Sequence, residues 1–279
     1  MDRRGTGAAG GRPGAAGRQA AGRATPARGG NRACPVSGNH RIRGWFLTGL
    51  LLAAFAGIAA GSQPRLRPFS AEYDLKLGYL SIGKVRVTLH LDRRGRYRYR
   101  ALTEPVGLTA VLRSDEITEI SHGEIRDGTV VPLSYRYRHL KSDNPRRVDL
   151  HFDWQAMQVT NRTPESEWVM RIKPGTQDKF SQQLMLILAL MKGDRSIDFP
   201  VADGGRLKRY LFLVQERVTV ETPAGRFASL HLMRRKQGQR ATADFWMAPE
   251  LNYLPVKVER REKEGDFVME LLSLRWDDE

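Results

Sequence analysis

The chain has 279 residues, 41% apolar and 28% charged, enough for one large domain or two small ones built on a real core. Its formal charge of +15 is unevenly placed: residues 1–43 hold nine arginines and one aspartate, and the remainder holds 37 basic against 30 acidic side chains. The folded part therefore keeps a basic excess of only +7, which argues against nucleic acid as a partner, and the single cysteine, Cys34, excludes an intrachain disulfide or a cysteine metal site.

Residues 1–43 read as a leader rich in Arg, Gly and Ala that cannot bury enough surface to offset its backbone entropy. A start at Val36 would leave an ordinary short basic region before the apolar run that follows. That run, Gly44 to Ala60, is about 15 residues of strong hydropathy after His40-Arg41-Ile42-Arg43 and ends in Ala59-Ala60-Gly61. Residues 44–61 thus have the layout of a secretory signal peptide with its cleavage site, which predicts a periplasmic protein. The alternative is an inner-membrane protein anchored by residues 44–60, against which the shortness of the run counts. Cys34 precedes the run, so a lipid anchor is not expected.

Residues 62–279 read as a single domain. From Phe69 the pattern has period two: Phe69, Ala71, Tyr73, Leu75 and Leu77 alternate with polar residues, then Val85, Val87, Leu89 and Leu91, then Tyr97, Tyr99 and Ala101. Turn residues at hairpin spacing separate them, so three consecutive antiparallel strands are predicted. Residues 110–125 look extended; Leu133–Tyr137 and Val148–Trp154 continue the alternation, with shorter strands near 157–161 and 168–172. The one predicted helix of this domain spans about 177–192, opened by Pro174-Gly175 and Asp178 and closed by Gly193. Phe180, Leu184, Ile187 and Met191 form its stripe, and Met185, Leu186, Leu188, Ala189 and Leu190 fill the other sides. A helix apolar all round is buried on more than one side.

Residues 193–208 read as a polar, Gly-rich connection. Strand character resumes at Tyr210–Val220, turns at Thr222-Pro223-Ala224-Gly225, continues through Phe227–Leu232, turns again at Lys236–Gln239, and ends a third strand near Trp246. A last hairpin joins Val256–Arg260 to Phe267–Trp276. About a dozen strands and one helix, without strand–helix alternation, predict a mainly β protein: a large curved antiparallel sheet or open barrel-like meander around one buried helix.

The chain from Pro68 to Trp276 resembles the bacterial DUF3108 family of exported proteins. The resembling pieces are the Gly83 hairpin, Glu104-x-x-Gly107-Leu108, Pro132-Leu133-x-Tyr135 and Val148-x-Leu150-x-Phe152-Asp153. They continue with Asp178-x-x-Ser181, Thr222-Pro223-Ala224-Gly225, and Trp246 with Leu254-Pro255-Val256. The resemblance implies a predominantly β envelope protein and carries no activity and no site residues.

The residues themselves offer little catalysis. The six histidines, His40, His90, His122, His139, His151 and His231, have no metal-ligand spacing, so no metal is expected. No nucleophile motif, dinucleotide loop or phosphate loop occurs, so neither an enzyme nor a cofactor is expected. Ser181 and Asp178 read as helix-capping residues. The expected function is non-enzymatic binding of an apolar or amphipathic envelope molecule, a lipid or acyl chain. Phe180, Leu184, Ile187, Leu188 and Met191 would line its pocket between helix and sheet. The alternatives are that the helix is simply core, and that the protein is a structural or interaction component whose basic strand faces meet an anionic lipid, glycan or partner protein.

Overall fold

The structure is a computed structural model that describes residues 65–107, 110, 116–140, 142, 145–236, 241–262 and 265–277, the side chains of residues 236 and 241 excepted. The leader and the signal segment lie outside the described residues, as do residues 111–115 and the turn at residues 237–240.

Period-two alternation produces strands wherever one face can be buried. The first half of the domain is β1 (Phe69–Leu77), β2 (Leu80–Leu91), β3 (Arg96–Pro105), β4 (Glu116–Arg126), β5 (Thr129–Leu140), β6 (Arg146–Asp153), β7 (Gln158–Arg162) and β8 (Glu167–Arg171). A two-residue strand, β9 (Gln177–Asp178), precedes the helix α1 (Gln182–Met191). The second half is β10 (Ser196–Asp203), β11 (Arg206–Thr222), β12 (Gly225–Lys236), β13 (Ala241–Ala248), β14 (Leu254–Glu262) and β15 (Gly265–Trp276).

All fifteen strands form one sheet, ordered β8 through β1, then β15 back through β9. Every neighbouring pair is antiparallel except β9 with β10. The first and last strands pair at its centre, Phe69 opposite Trp276. Register shifts in β1, β4, β11, β12 and β13 mark irregularities that bend such sheets. The bending brings the two flanks together. Trp168 of β8 donates its indole N–H to the carbonyl of Gly205, in the turn after β10, at 3.3 Å.

The concave face carries the core: Phe69, Ala71 and Tyr73 of β1, Val85, Val87 and Leu89 of β2, Tyr97 and Tyr99 of β3, and Ile197, Phe199 and Val201 of β10. α1 packs against β5, β9 and β10. Leu184, Leu186, Ile187, Leu188, Ala189 and Leu190 are each at most 2% exposed, so the helix is enclosed on every side. Burying each of its large aliphatic side chains contributes roughly 1.5–3 kcal/mol. Its first turn lies by Tyr99, whose ring stacks on Phe180 with centroids 4.0 Å apart. Its last turn lies by the β4–β5 turn, where Lys192 Nζ donates to the carbonyl of Gly128 at 2.9 Å. Strand directions then place the turns after β1, β7 and β10 at the end where α1 starts, and the turns after β2, β4 and β6 at the end where it stops.

The mainly β, curved-sheet architecture with one buried helix is as the pattern predicts, with two corrections. The helix begins at Gln182 rather than 177, because residues 177–178 pair with Val201 and Ala202 as a parallel strand. Residues 193–208 contain a strand, β10, where a connection was expected: Ile197, Phe199 and Val201 alternate inward, but Pro200 and the flanking Asp, Ser and Gly residues mask that pattern.

Glycine is required at Gly205. Its φ is +72°, and a Cβ there would come within 2.4 Å of the Trp168 ring. Neighbouring Gly204 has φ +60° but meets nothing closer than Lys208 Nζ at 3.6 Å. Gly204→Ala is expected to lose about 1 kcal/mol in chemical denaturation, and Gly205→Ala about 2–3 kcal/mol with a red-shifted tryptophan emission as the flanks part. Equal losses for the two variants would show that the Trp168 contact does not hold the flanks together.

Candidate functional site

The start of α1 is fixed by a buried polar hub. Asp178 accepts the backbone N–H of Phe180 at 2.7 Å and of Ser181 at 2.6 Å, and its own N–H donates to Ser181 Oγ at 3.0 Å. This is the reciprocal arrangement of a capping box, in which two residues three apart satisfy each other's free donors. Ser121 of β4 donates to the other carboxylate oxygen at 2.6 Å and lies 3.0 Å from the Tyr97 hydroxyl. Gln177 donates to the carbonyl of Val130 at 2.9 Å and accepts from Ser181 at 2.9 Å. Gly123 makes room for Tyr97: a Cβ there would meet Val131 O at 2.2 Å and Tyr97 Cε1 at 2.7 Å. Burial outweighs these donors and pushes the Asp178 pKa up to about 6.

Above that hub, at the end where α1 starts, lies a cleft of about 510 Å³. Phe180, Gln182 and Gln183 form its floor. Tyr135, Tyr137, Leu150 and Trp168 line one wall, and Tyr210, Phe245 and Val258 line the other. Ionic side chains enter from both sides: Glu119 and Asp203, against Arg146, Lys179, Arg234 and Arg260.

Both acids are engaged. Glu119 accepts from the Tyr135 hydroxyl at 2.5 Å and lies 4.0 Å from Lys179. Asp203 accepts from Lys208 and from the Tyr210 hydroxyl, each at 2.8 Å. Burial raises the Asp203 pKa, but these two partners outweigh it and hold the group below the usual carboxylate range. Arg260 pairs with Glu262. Arg234 is placed differently: its guanidinium sits 5.0 Å from the Tyr210 ring and 5.9 Å from the Phe245 ring. It donates to Thr242 Oγ1 at 3.3 Å, and no carboxylate lies within ion-pair distance of it among the described residues. Burial lowers its pKa. Two further polar atoms of the lining, Asn161 Oδ1 and Gln182 Oε1, are buried without a protein donor. The cleft is thus a partly apolar slot holding a cation that Asp203 and Glu262 act on only from beyond ion-pair distance, an arrangement suited to an acidic group attached to an apolar body.

Of the side chains expected to line a pocket, Phe180 does so. Leu184, Ile187 and Leu188 lie in the packed core beneath it, and Met191 is half-buried at the opposite end of the helix. Sequence reasoning passed over Arg234, although it stands in phase with the inward Leu230 and Leu232, a charge where an apolar residue was due. Among the described residues no cluster of three metal-binding side chains occurs. The His231–Asp244 pair, 2.9 Å apart and joined by Arg261, lies on the face opposite Leu230 and Leu232.

The model of a family described as "Protein of unknown function (DUF3108)" matches residues 72–272. Among solved structures the chain is similar to one described as "Crystal Structure of Beta-barrel-like Protein of Domain of Unknown Function DUF1849 from Brucella abortus". The two are 15% identical over 77% of this chain and 99% of that one, with a TM-score of 0.53, a likeness of fold alone. No curated protein shows a significant match.

The Asp178 hub makes stability depend on pH with a definite sign. Its folded pKa of about 6 lies above the ordinary 3.8, so the folded state binds the proton first. Stability from this group rises as pH falls from 7 through 6 and is lost as pH climbs back. His122, lowered by burial and by Arg98 and Arg136, acts with the opposite sign, so the informative quantity is a difference. Between pH 7 and pH 5 the parent should gain about 1 kcal/mol relative to Asp178→Asn in urea titrations. Parallel profiles for the two proteins would show that the carboxylate is not held against its burial.

Proposed function

The chain belongs to the DUF3108 family, and we propose that this member is a non-enzymatic, periplasmic binding protein that holds an anionic amphiphile, a lipid or acyl chain with an acidic head, in the cleft at the start of α1. The observation that carries the reading is Arg234, bracketed by Tyr210 and Phe245 and with no carboxylate within ion-pair distance among the described residues. A guanidinium set among aromatic rings and partly desolvated is costly unless an anion joins it. Its planar donors favour a carboxylate or phosphate.

The rest of the lining fits the other half of such a molecule. Phe180, Leu150, Val258 and Trp168 offer an apolar path below the charge. Lys179 and the rim residue Arg146 add positive potential on the opposite wall. A volume near 510 Å³ lies within the usual range of ligand pockets. The non-enzymatic part of the reading rests on the sequence, which holds no nucleophile motif. The periplasmic part rests on residues 44–61, with an inner-membrane anchor at residues 44–60 as the alternative. No helix among the described residues is long and apolar enough to cross a membrane.

Titration calorimetry with decanoate and decanol tests the reading. Decanoate should bind the parent, and Arg234→Gln should weaken it by about 10- to 100-fold, the equivalent of one charge-assisted hydrogen-bonded contact. Decanol binding should be weaker and indifferent to the substitution. Equal affinity for the two compounds, or an unchanged decanoate affinity in Arg234→Gln, would contradict it.

A further inference from the structure

We propose that the end of the sheet at which the cleft opens docks on an anionic lipid bilayer, with Tyr79 and Leu80 as its apolar contact. This rests on the cleft holding a membrane-derived amphiphile, since such a molecule is most directly loaded from the bilayer that contains it.

The large apolar side chains exposed among the described residues are Tyr79, Leu80, Leu140 and Val169. Their placement is one-sided. Tyr79, fully exposed, and Leu80, 63% exposed, form the tip of the β1–β2 hairpin, and Leu140 ends β5. All three lie at the end where α1 starts and the cleft opens; Val169 lies on the edge strand β8. None lies in the turns of the opposite end. The foot of the tip is tied to β15: Gly78 takes φ +60° and donates its N–H to Asp266 O at 3.0 Å.

The register connects this tip with the cleft. Arg234 lies opposite Ala243, Ala243 opposite Arg260, Arg260 opposite Phe267, and Phe267 opposite Leu77. One row across the sheet therefore runs from the aromatic-bracketed arginine to the foot of the Tyr79–Leu80 turn. The cleft-lining Arg260 is two strand spacings, about 10 Å, from that foot. Exposed cations share this end. Lys84, Arg146, Arg147, Arg206 and Arg235 have no ion pair among the described residues, against Glu104, Glu165 and Asp266 among the acids. Among the described residues the unpaired charge at this end is net positive, with Lys84 on the hairpin itself and the other cations on β6, β11 and β12. A protruding tyrosine and leucine at an end of the sheet that also carries lysine and arginine is the composition of a surface that seats in the headgroup layer.

The full chain contains residues 44–60, an apolar run able to enter a bilayer by itself, so the test reads the tip locally. Hydrogen exchange followed by mass spectrometry, with vesicles of phosphatidylglycerol or of phosphatidylcholine, should show residues 77–82 slowed about fivefold or more by the anionic vesicles and little by the neutral ones. The turn at residues 92–95, at the opposite end, should not respond. Tyr79→Ser with Leu80→Ser should abolish the local protection and leave decanoate affinity unchanged. Unprotected residues 77–82 on anionic vesicles would overturn the docking surface while leaving the cleft reading standing. Protection together with absent decanoate binding would retain the docking surface and remove the cleft's ligand. Equal protection on both vesicle types would overturn its electrostatic part.

Discussion

A single buried carboxylate organises this molecule. Asp178 ends a two-residue strand, caps the chain entering α1, and accepts from Ser121 in the middle of β4. It thereby ties the helix to the sheet at one depth and one rotation. Hydrophobic burial is large but non-directional, and a rod as uniformly apolar as Leu184–Leu190 could slide or turn within a curved sheet at little cost. Directional bonds from a desolvated group remove that freedom, because leaving any of them unmade costs about 1–3 kcal/mol. The raised pKa of Asp178 records the tension between burial and those bonds.

Fixing the helix start also fixes where the interior stops being solid. Below Phe180 the helix is packed on all sides. Above it the β5–β8 wall and the β11–β14 wall diverge, and the space between them is edged by tyrosines and charged side chains instead of being filled. Trp168 against Gly205 closes the flanks of the sheet beside that space. The same geometry therefore yields a rigid floor, an apolar middle and a cationic upper wall. The apolar hairpin tip stands at the same end, so the ligand reading and the docking reading draw on one feature, the open end of a curled sheet.

Much of this architecture was legible in the chain. Strict alternation in Phe69–Leu77, Val85–Leu91 and Tyr97–Ala101 has one physical solution, a half-buried strand, and the turn residues between them dictate hairpins. The all-round apolar helix announced its own enclosure. Two local features were hidden. β10 is interrupted by Pro200 and flanked by turn formers, so its three inward residues did not stand out. Gln177 and Asp178 look helical by composition, and only their pairing with Val201 and Ala202 makes them a strand.

The site was less legible, because it is assembled across the sheet rather than along the chain. Arg234, Tyr210 and Phe245 come from three strands and meet only through register. The sequence does contain a hint, an arginine in phase with Leu230 and Leu232, but its meaning depends on no carboxylate among the described residues lying within ion-pair distance of it. The expected lining by Leu184, Ile187 and Leu188 rested on hydropathy, which cannot distinguish a pocket wall from a core. Native mass spectrometry of the protein purified from its own envelope tests the central claim most directly. The account predicts one retained acidic amphiphile per chain, lost in Arg234→Gln; a bare parent protein, or an adduct that Arg234→Gln keeps in full, would contradict it.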